Sequence, residues 1–386
     1  MSSIHDSLTL PARAADRGFR ALLAETAREH RWFAAIVLAY VGAGLAAARA
    51  FGRPEMLKLS LYSGEINLFV GLFLFGALVC RMLYVMVAVR PRRLSRYLID
   101  DLKANLLAPR RLAYALPVWI LIPVFISVFT SLKTMIPFVN PELWDVPFAA
   151  WDRTLHGGID PWRLLQPMLG TPLVTSALNF VYHLWFFVLH AVLLWQTFSL
   201  ADPRLRMQFL LTFLLSWALL GSLAATVFAS VGPVYFGAAT GLEDPFAGLM
   251  AYLNEANQSY PVWALEVQQG LWENYRAGDI EIASGVSAMP SMHIASSFLF
   301  ALLGWRVNRL LGIAFSVFCL LILVGSVHLG WHYAIDGYAA VAGVWLIWRM
   351  VGALLARRRD APATPATPVI GRPPPAPRQA ASLWDR

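Results

Sequence analysis

Apolar stretches of membrane length alternate with short polar links along most of this chain. A helix needs about 20 mostly apolar residues to cross a bilayer. Runs of that order lie at roughly residues 32–51, 66–89, 113–132, 173–198, 208–231, 291–305, 309–327 and 333–355. The sixth is short, with Pro290 marking its start and Trp305-Arg306 its end. The link GWRVNRL at 304–310 is tight enough to fold it back antiparallel against the seventh. The pattern predicts an all-α polytopic membrane helical bundle of about eight transmembrane helices.

The polar positions orient that bundle. Arg90, Arg92, Arg93, Arg96, Lys103, Arg110 and Arg111 crowd the link after the second run. Arg204, Arg206, Arg306, Arg309 and Arg357 to Arg359 fall on the same side if the spans alternate. Across the membrane, loop 233–289 carries seven acids (Glu243, Asp244, Glu255, Glu266, Glu273, Asp279 and Glu281) against Arg276 alone. Cytoplasmic links are enriched in Lys and Arg. Both termini are therefore predicted inside, with loops 133–172 and 233–289 outside, in the inner (plasma) membrane.

Composition agrees. Of 386 residues, 58% are hydrophobic and only 14% charged, against about a quarter charged in soluble domains. The net charge of +8 does not imply nucleic acid, because the basic residues sit between apolar runs. Cys80 and Cys319 both lie inside such runs and imply no disulfide framework. The start, MSSIHDSLTLPARAADRGFR, lacks an apolar signal core and reads as a polar tail. From 361 the chain turns to Ala and Pro (APATPATPVIGRPPPAPRQ), a composition that predicts disorder. Three parts follow: 1–112, with two accessory spans and a basic loop; 113–355, a six-helix core; and 356–386, a cytoplasmic tail.

Chemistry concentrates at one face of that core. The stretch SAMPSMH, residues 287–293, opens the sixth span. Pro290 suits a first helical position, Ser291 suits a cap or the first turn, and the free N–H groups of that turn favour an anion. His293 then lies beside a ready-made phosphate or carboxylate site, or is merely an interfacial residue. The stretch GSVHLGWHYAIDGY, residues 325–338, enters the eighth span at the same face. His332 and Asp336 are four apart and share a face if helical. A carboxylate beside an imidazole fixes its tautomer and stabilises its cation, as a nucleophilic or basic histidine requires. A structural His–Asp hydrogen bond is the alternative. His328 extends the spacing to H-x3-H-x3-D, a pattern able to hold a metal on one helical face, although Gly330 weakens a continuous helix. Lys133, in KTMIP at the outer end of the third span, either snorkels or supplies charge to a phosphate. Gly232-Pro233 reads as the stop of the fifth span, and His183 as a helix-packing residue.

Pro290-Ser291-Met292-His293 followed by His332-Tyr-Ala-Ile-Asp336 resembles the type 2 phosphatidic acid phosphatase superfamily, which pairs P-S-x-H with H-x3-D. The segments KTMIP, WDVPFAAWDRTLHGGIDPWRLL, Gly232-Pro233 and MPSMH look closest to its inositol phosphorylceramide synthase-like, inositolphosphotransferase branch. The resemblance covers about residues 113–355. It implies a metal-independent enzyme without cofactor, acting on a phospholipid or sphingolipid in the bilayer, with water or another lipid as acceptor. His332 is then the nucleophile that forms a phosphohistidine, Asp336 orients it, and His293 moves protons. Lys133, Ser291 and Met292 are implied to bind phosphate, with His328, Arg153, Gly232 and Tyr333 as accessory candidates. Two arginines of the superfamily's motifs are replaced: Asn140-Pro141 stands for R-P, and Gly325-Ser326 for S-R. A transporter or scaffold using the histidines for proton coupling is the rival of another class, and a metal hydrolase the rival among enzymes.

Overall fold

The computed structural model describes residues 4–357, and among them every regular element is a helix. Ile4–Ala50 forms α1, Ser63–Tyr84 α2, Leu94–Asp101 the short α3 of the basic link, and Pro109–Val139 α4. Asp145–Leu155 (α5) and Pro161–Leu169 (α6) precede Pro172–Phe198 (α7). Pro203–Ala218 (α8) runs through a wider π turn at Leu219–Ala224 into Ala225–Val227 (α9). Phe236–Thr240 (α10), Ala247–Ser259 (α11) and Ala264–Ala277 (α12) fold the long acidic loop. Met292–Val307 (α13), Arg309–His328 (α14) and Ala334–Arg357 (α15) complete the bundle. Among the described residues, seven segments are long and apolar enough to cross a membrane, and α13, at 16 residues, is a shorter apolar helix.

Helix α13 pairs with α14 and packs on α15, α8 and α7. Asn308 makes the turn of this hairpin, ending α13 and accepting the Leu311 N–H on its side chain at 2.9 Å. Phe209, Leu210, Phe213 and Leu214 of α8 meet Phe300 and Leu303 of α13 in the centre, all fully buried. Lipid is as apolar as these side chains, so contact shape and interhelical hydrogen bonds carry much of the association. Trp185 of α7 accordingly donates to Ser296 of α13 at 3.0 Å. Buried Arg206 of α8 donates to the Gln196 and Tyr114 carbonyls and to His30 of α1.

The structure moves several sequence boundaries. Residues 4–31 continue the first span as helix where a polar tail was expected. Helix α4 runs to Val139, so Lys133 lies inside the helix and not at its end. Pro137 lies inside it, as do Pro117 and Pro123. Gly285 has φ +86, and a Cβ on it would stand 2.9 Å from the Thr134 nitrogen. The fifth span stops at Val227, five residues before Gly232. Pro290 precedes the cap and is not the first helical residue, because Ser291 caps α13 by accepting the Ile294 N–H at 3.4 Å. The Ala/Pro-rich segment from 361 lies outside the described residues.

Candidate active site

The first turn of α15 is built by two carboxylates. Asp152 of α5, buried, accepts the Ala334 and Ile335 N–H groups at 2.9 and 3.1 Å. Asp336, in that first turn, reaches back to the Tyr333 N–H at 3.0 Å, one half of a capping box. The positive end of the helix is thereby closed by negative charge. Burial still raises the Asp152 carboxyl above its usual value, against the pull of its two donors.

This cap keeps His332 off the helix. The sequence places His332 and Asp336 on one helical face, but α14 ends at His328 and α15 begins at Ala334. The intervening turn is held by the Ser326 carbonyl, which accepts from the Trp331 and His332 N–H groups at 2.9 and 3.2 Å. The continuous helical face that a metal site at His328, His332 and Asp336 requires is absent. His328 instead faces Thr175 of α7, 2.9 Å from its Nε2.

His332 Nδ1 lies 2.9 Å from the Ala288 carbonyl and 3.3 Å from Asp336 Oδ2. A carbonyl oxygen only accepts, so Nδ1 carries the proton and Nε2 keeps its lone pair. The His293 ring stands 6.2 Å from that of His332, centre to centre. It is clamped between Trp185 at 4.0 Å and Tyr182 at 4.7 Å. No hydrogen bond fixes its nitrogens among the described residues, so they remain available to exchange a proton.

Anion donors surround this pair. The Ser291 N–H is spent on the Asp336 carbonyl at 3.2 Å, and Ile294 on its own cap, which corrects the expectation that every N–H after Pro290 is free. Met292 and His293 keep theirs, with no partner among the described residues. Lys133 packs against the Gly285 backbone and forms no ion pair among the described residues. Arg153 is bound to Asp160 at 2.8 and 3.2 Å and is itself exposed. His183 Nδ1 donates to the Asn179 carbonyl at 2.8 Å, within its own helix.

One buried carboxylate clasps the loops together, and sequence reasoning missed it. Asp145 accepts from the Ser230 hydroxyl (2.9 Å), the Val231 and Gly232 N–H groups (3.0 and 2.8 Å) and the Tyr333 hydroxyl (2.9 Å). Tyr333, the neighbour of His332, therefore orients rather than reacts; burial and Asp145 push its phenol well above the usual value and keep it a donor. Gly232 has φ +89, and a Cβ there would meet the Trp331 carbonyl at 2.7 Å. The Ala288 N–H donates to the Ser230 carbonyl and the Val234 N–H to the Gly330 carbonyl, so three loops converge on His332. The visible signal for Asp145 and Asp152 was two Trp-Asp pairs, Trp144-Asp145 and Trp151-Asp152, acids amid aromatic residues in WDVPFAAWD.

The fold and this cluster define a class: an all-α membrane bundle that brings together a histidine in the first turn of one helix, a histidine in an inter-helix turn and a carboxylate in the first turn of the next helix. The family model of the PAP2 superfamily matches residues 147–350, more than half of the chain, and the chain belongs to that superfamily. Its members are phosphoesterases. No curated protein and no solved structure matches the chain.

Proposed function

We propose that this protein breaks a phosphoester of a membrane lipid through a covalent phosphohistidine on His332, and passes the phosphoryl-bearing group to water or a second lipid hydroxyl. The observation that carries this reading is the Ala288 carbonyl at His332 Nδ1, which leaves the Nε2 lone pair free beside His293. Nε2 attacks phosphorus and the P–O bond to the leaving group breaks. The departing alkoxide takes a proton from His293, while Asp336 stabilises the charge that grows on the His332 ring. The acceptor hydroxyl then gives its proton to His293 as its oxygen attacks phosphorus, and the P–N bond returns its electron pair to Nε2.

Charge narrows the substrate. Of the two basic phosphate candidates, Arg153 is bound to Asp160 while Lys133 forms no ion pair among the described residues, and uncompensated charge in a dry site is costly. One fixed cation suits the monoanion of a phosphodiester better than the dianion of a phosphomonoester. The resemblance to the inositol phosphorylceramide synthase-like branch supports the same choice, with a sphingolipid-type acceptor. The acidic loop 233–289 supports an extracytoplasmic site. Labelling of a single cysteine at Glu243 by an impermeant thiol reagent in intact cells checks that face; exclusive labelling at Arg306 reverses it.

The test is purified protein incubated with labelled phosphodiester and phosphomonoester lipids, each with and without a lipid alcohol. Preferred turnover of the diester, with head-group transfer when the alcohol is present, is expected. Preferred hydrolysis of the monoester overturns the charge argument. No turnover of either lipid overturns the enzymatic reading.

A further inference from the structure

Two side chains at the histidine pair hold donors that nothing else uses. Tyr182 of α7 is 4% exposed, and its hydroxyl has no hydrogen-bond partner among the described residues. The Trp331 indole N–H has none either. Their placement is ordered: the Tyr182 ring stacks on His293 at 20° and on Trp331 at 8°, with centroids 6.0 Å apart in the second case. Trp331 adjoins His332 in the turn that Ser326 anchors. One aromatic stack thus runs from the proton-transfer histidine to the turn bearing the nucleophile.

A buried hydroxyl without a partner is costly and calls for an explanation. The residues standing at the two replaced arginine positions do not provide phosphate contacts. Asn140 spends its amide on the Thr226 carbonyl at 2.8 Å, and Ser326 spends its hydroxyl on the Leu323 carbonyl at 2.8 Å. The Tyr182 ring, however, lies beside Gly325, 3.6 Å from where a Cβ there would stand. The ring thus stands next to the residue that precedes the second replaced position.

We infer that the Tyr182 hydroxyl and the Trp331 indole N–H are phosphate-binding donors, gripping the non-bridging oxygens of the transferring group in place of guanidinium groups. The inference rests on the proposed phosphoryl-transfer reading and deepens it. Neutral donors stabilise the charge that builds on these oxygens while adding no net charge, as a monoanionic diester requires. They also hold the phosphoryl group against the His293 face from which the leaving oxygen is protonated.

Orthovanadate, a mimic of the transferring phosphoryl group, is the probe. Its binding to the purified full chain is read from the rise in Tm and from tryptophan fluorescence. Tyr182→Phe keeps the ring stack and removes only the hydroxyl; Trp331→Phe removes the N–H. Vanadate affinity is expected to fall by about 10- to 100-fold in Tyr182→Phe, and kcat/KM for the lipid turned over by the wild type to fall in parallel. The ligand-free Tm of that variant should stay level or rise, because the hydroxyl satisfies no protein group. A variant within about twofold of wild type in vanadate affinity overturns the inference and leaves the enzymatic reading standing. A marked loss of ligand-free Tm also overturns it, since it reveals a structural role. Wild-type protein that binds no vanadate and turns over no lipid overturns the phosphoryl-transfer reading itself.

Discussion

Asp145→Asn tests the loop clasp without any knowledge of the substrate. The wild-type carboxylate takes four hydrogen bonds, three on Oδ1 and one, from the Val231 N–H, on Oδ2. Asparagine keeps its carbonyl oxygen where the three donors converge and places its NH2 where Oδ2 stood. The Val231 N–H then faces another donor, in a fully buried site. A hydrogen bond to a charged group contributes about 1.5–3 kcal/mol, and an orphaned buried donor costs about 1–3 kcal/mol. The remaining three bonds persist but lose charge assistance, so the net loss is about 2–4 kcal/mol. In detergent that corresponds to a fall in Tm of about 2–5 °C for a chain of this length. Glu142→Gln, exposed on the same loop, is the control and should shift stability by less than about 0.5 kcal/mol. Because the clasp ties Gly232 and Tyr333 to the turn of His332, kcat should fall more than the folded fraction does. A Tm for Asp145→Asn within 1 °C or so of the control would refute the reasoning, and would mean that the three loops are held by other contacts.

The two histidines should separate kinetically. His332→Ala is expected to abolish turnover, whereas His293→Ala slows substrates with poor leaving groups and spares phosphorylation by very good ones; near wild-type activity in His332→Ala would remove the nucleophile assignment. Lys133→Met should lose roughly two to three powers of ten in kcat/KM, as for removal of one preorganised donor, with Tm level or higher because no carboxylate pairs with this ammonium among the described residues. A loss under about tenfold in well-folded Lys133→Met would make it an anchor only.

Hydropathy alone made the bundle legible, because a bilayer tolerates only helices whose side chains are apolar over the full crossing and whose backbone is satisfied within the segment. The candidate residues His293, His332 and Asp336 stand out in the sequence for a related reason: each imidazole and carboxylate lies near the polar end of an apolar run, where a titratable group is conspicuous. Their supports were not. Asp145 meets the Tyr333 hydroxyl across 188 residues of chain, and Asp152 meets the Ala334 and Ile335 N–H groups across 182 and 183. Local periodicity cannot report partners at such separations. The sequence starts the eighth span at 333, next to the observed Ala334, but leaves open whether His332 shares its helical face with Asp336; Asp152, on the Ala334 and Ile335 N–H groups, leaves His332 outside the helix. The third apolar run ends near 132, which puts Lys133 at a helix end, whereas α4 continues through Pro137 to Val139. The aromatic stack of Trp331, Tyr182 and His293 joins three separate segments, so it exists only once α7, α13 and the turn before α15 are packed. Sequence determined which groups can react and the solvent in which they sit; tertiary contacts decided their tautomer, their donors and their distances, because those depend on atoms supplied from far along the chain.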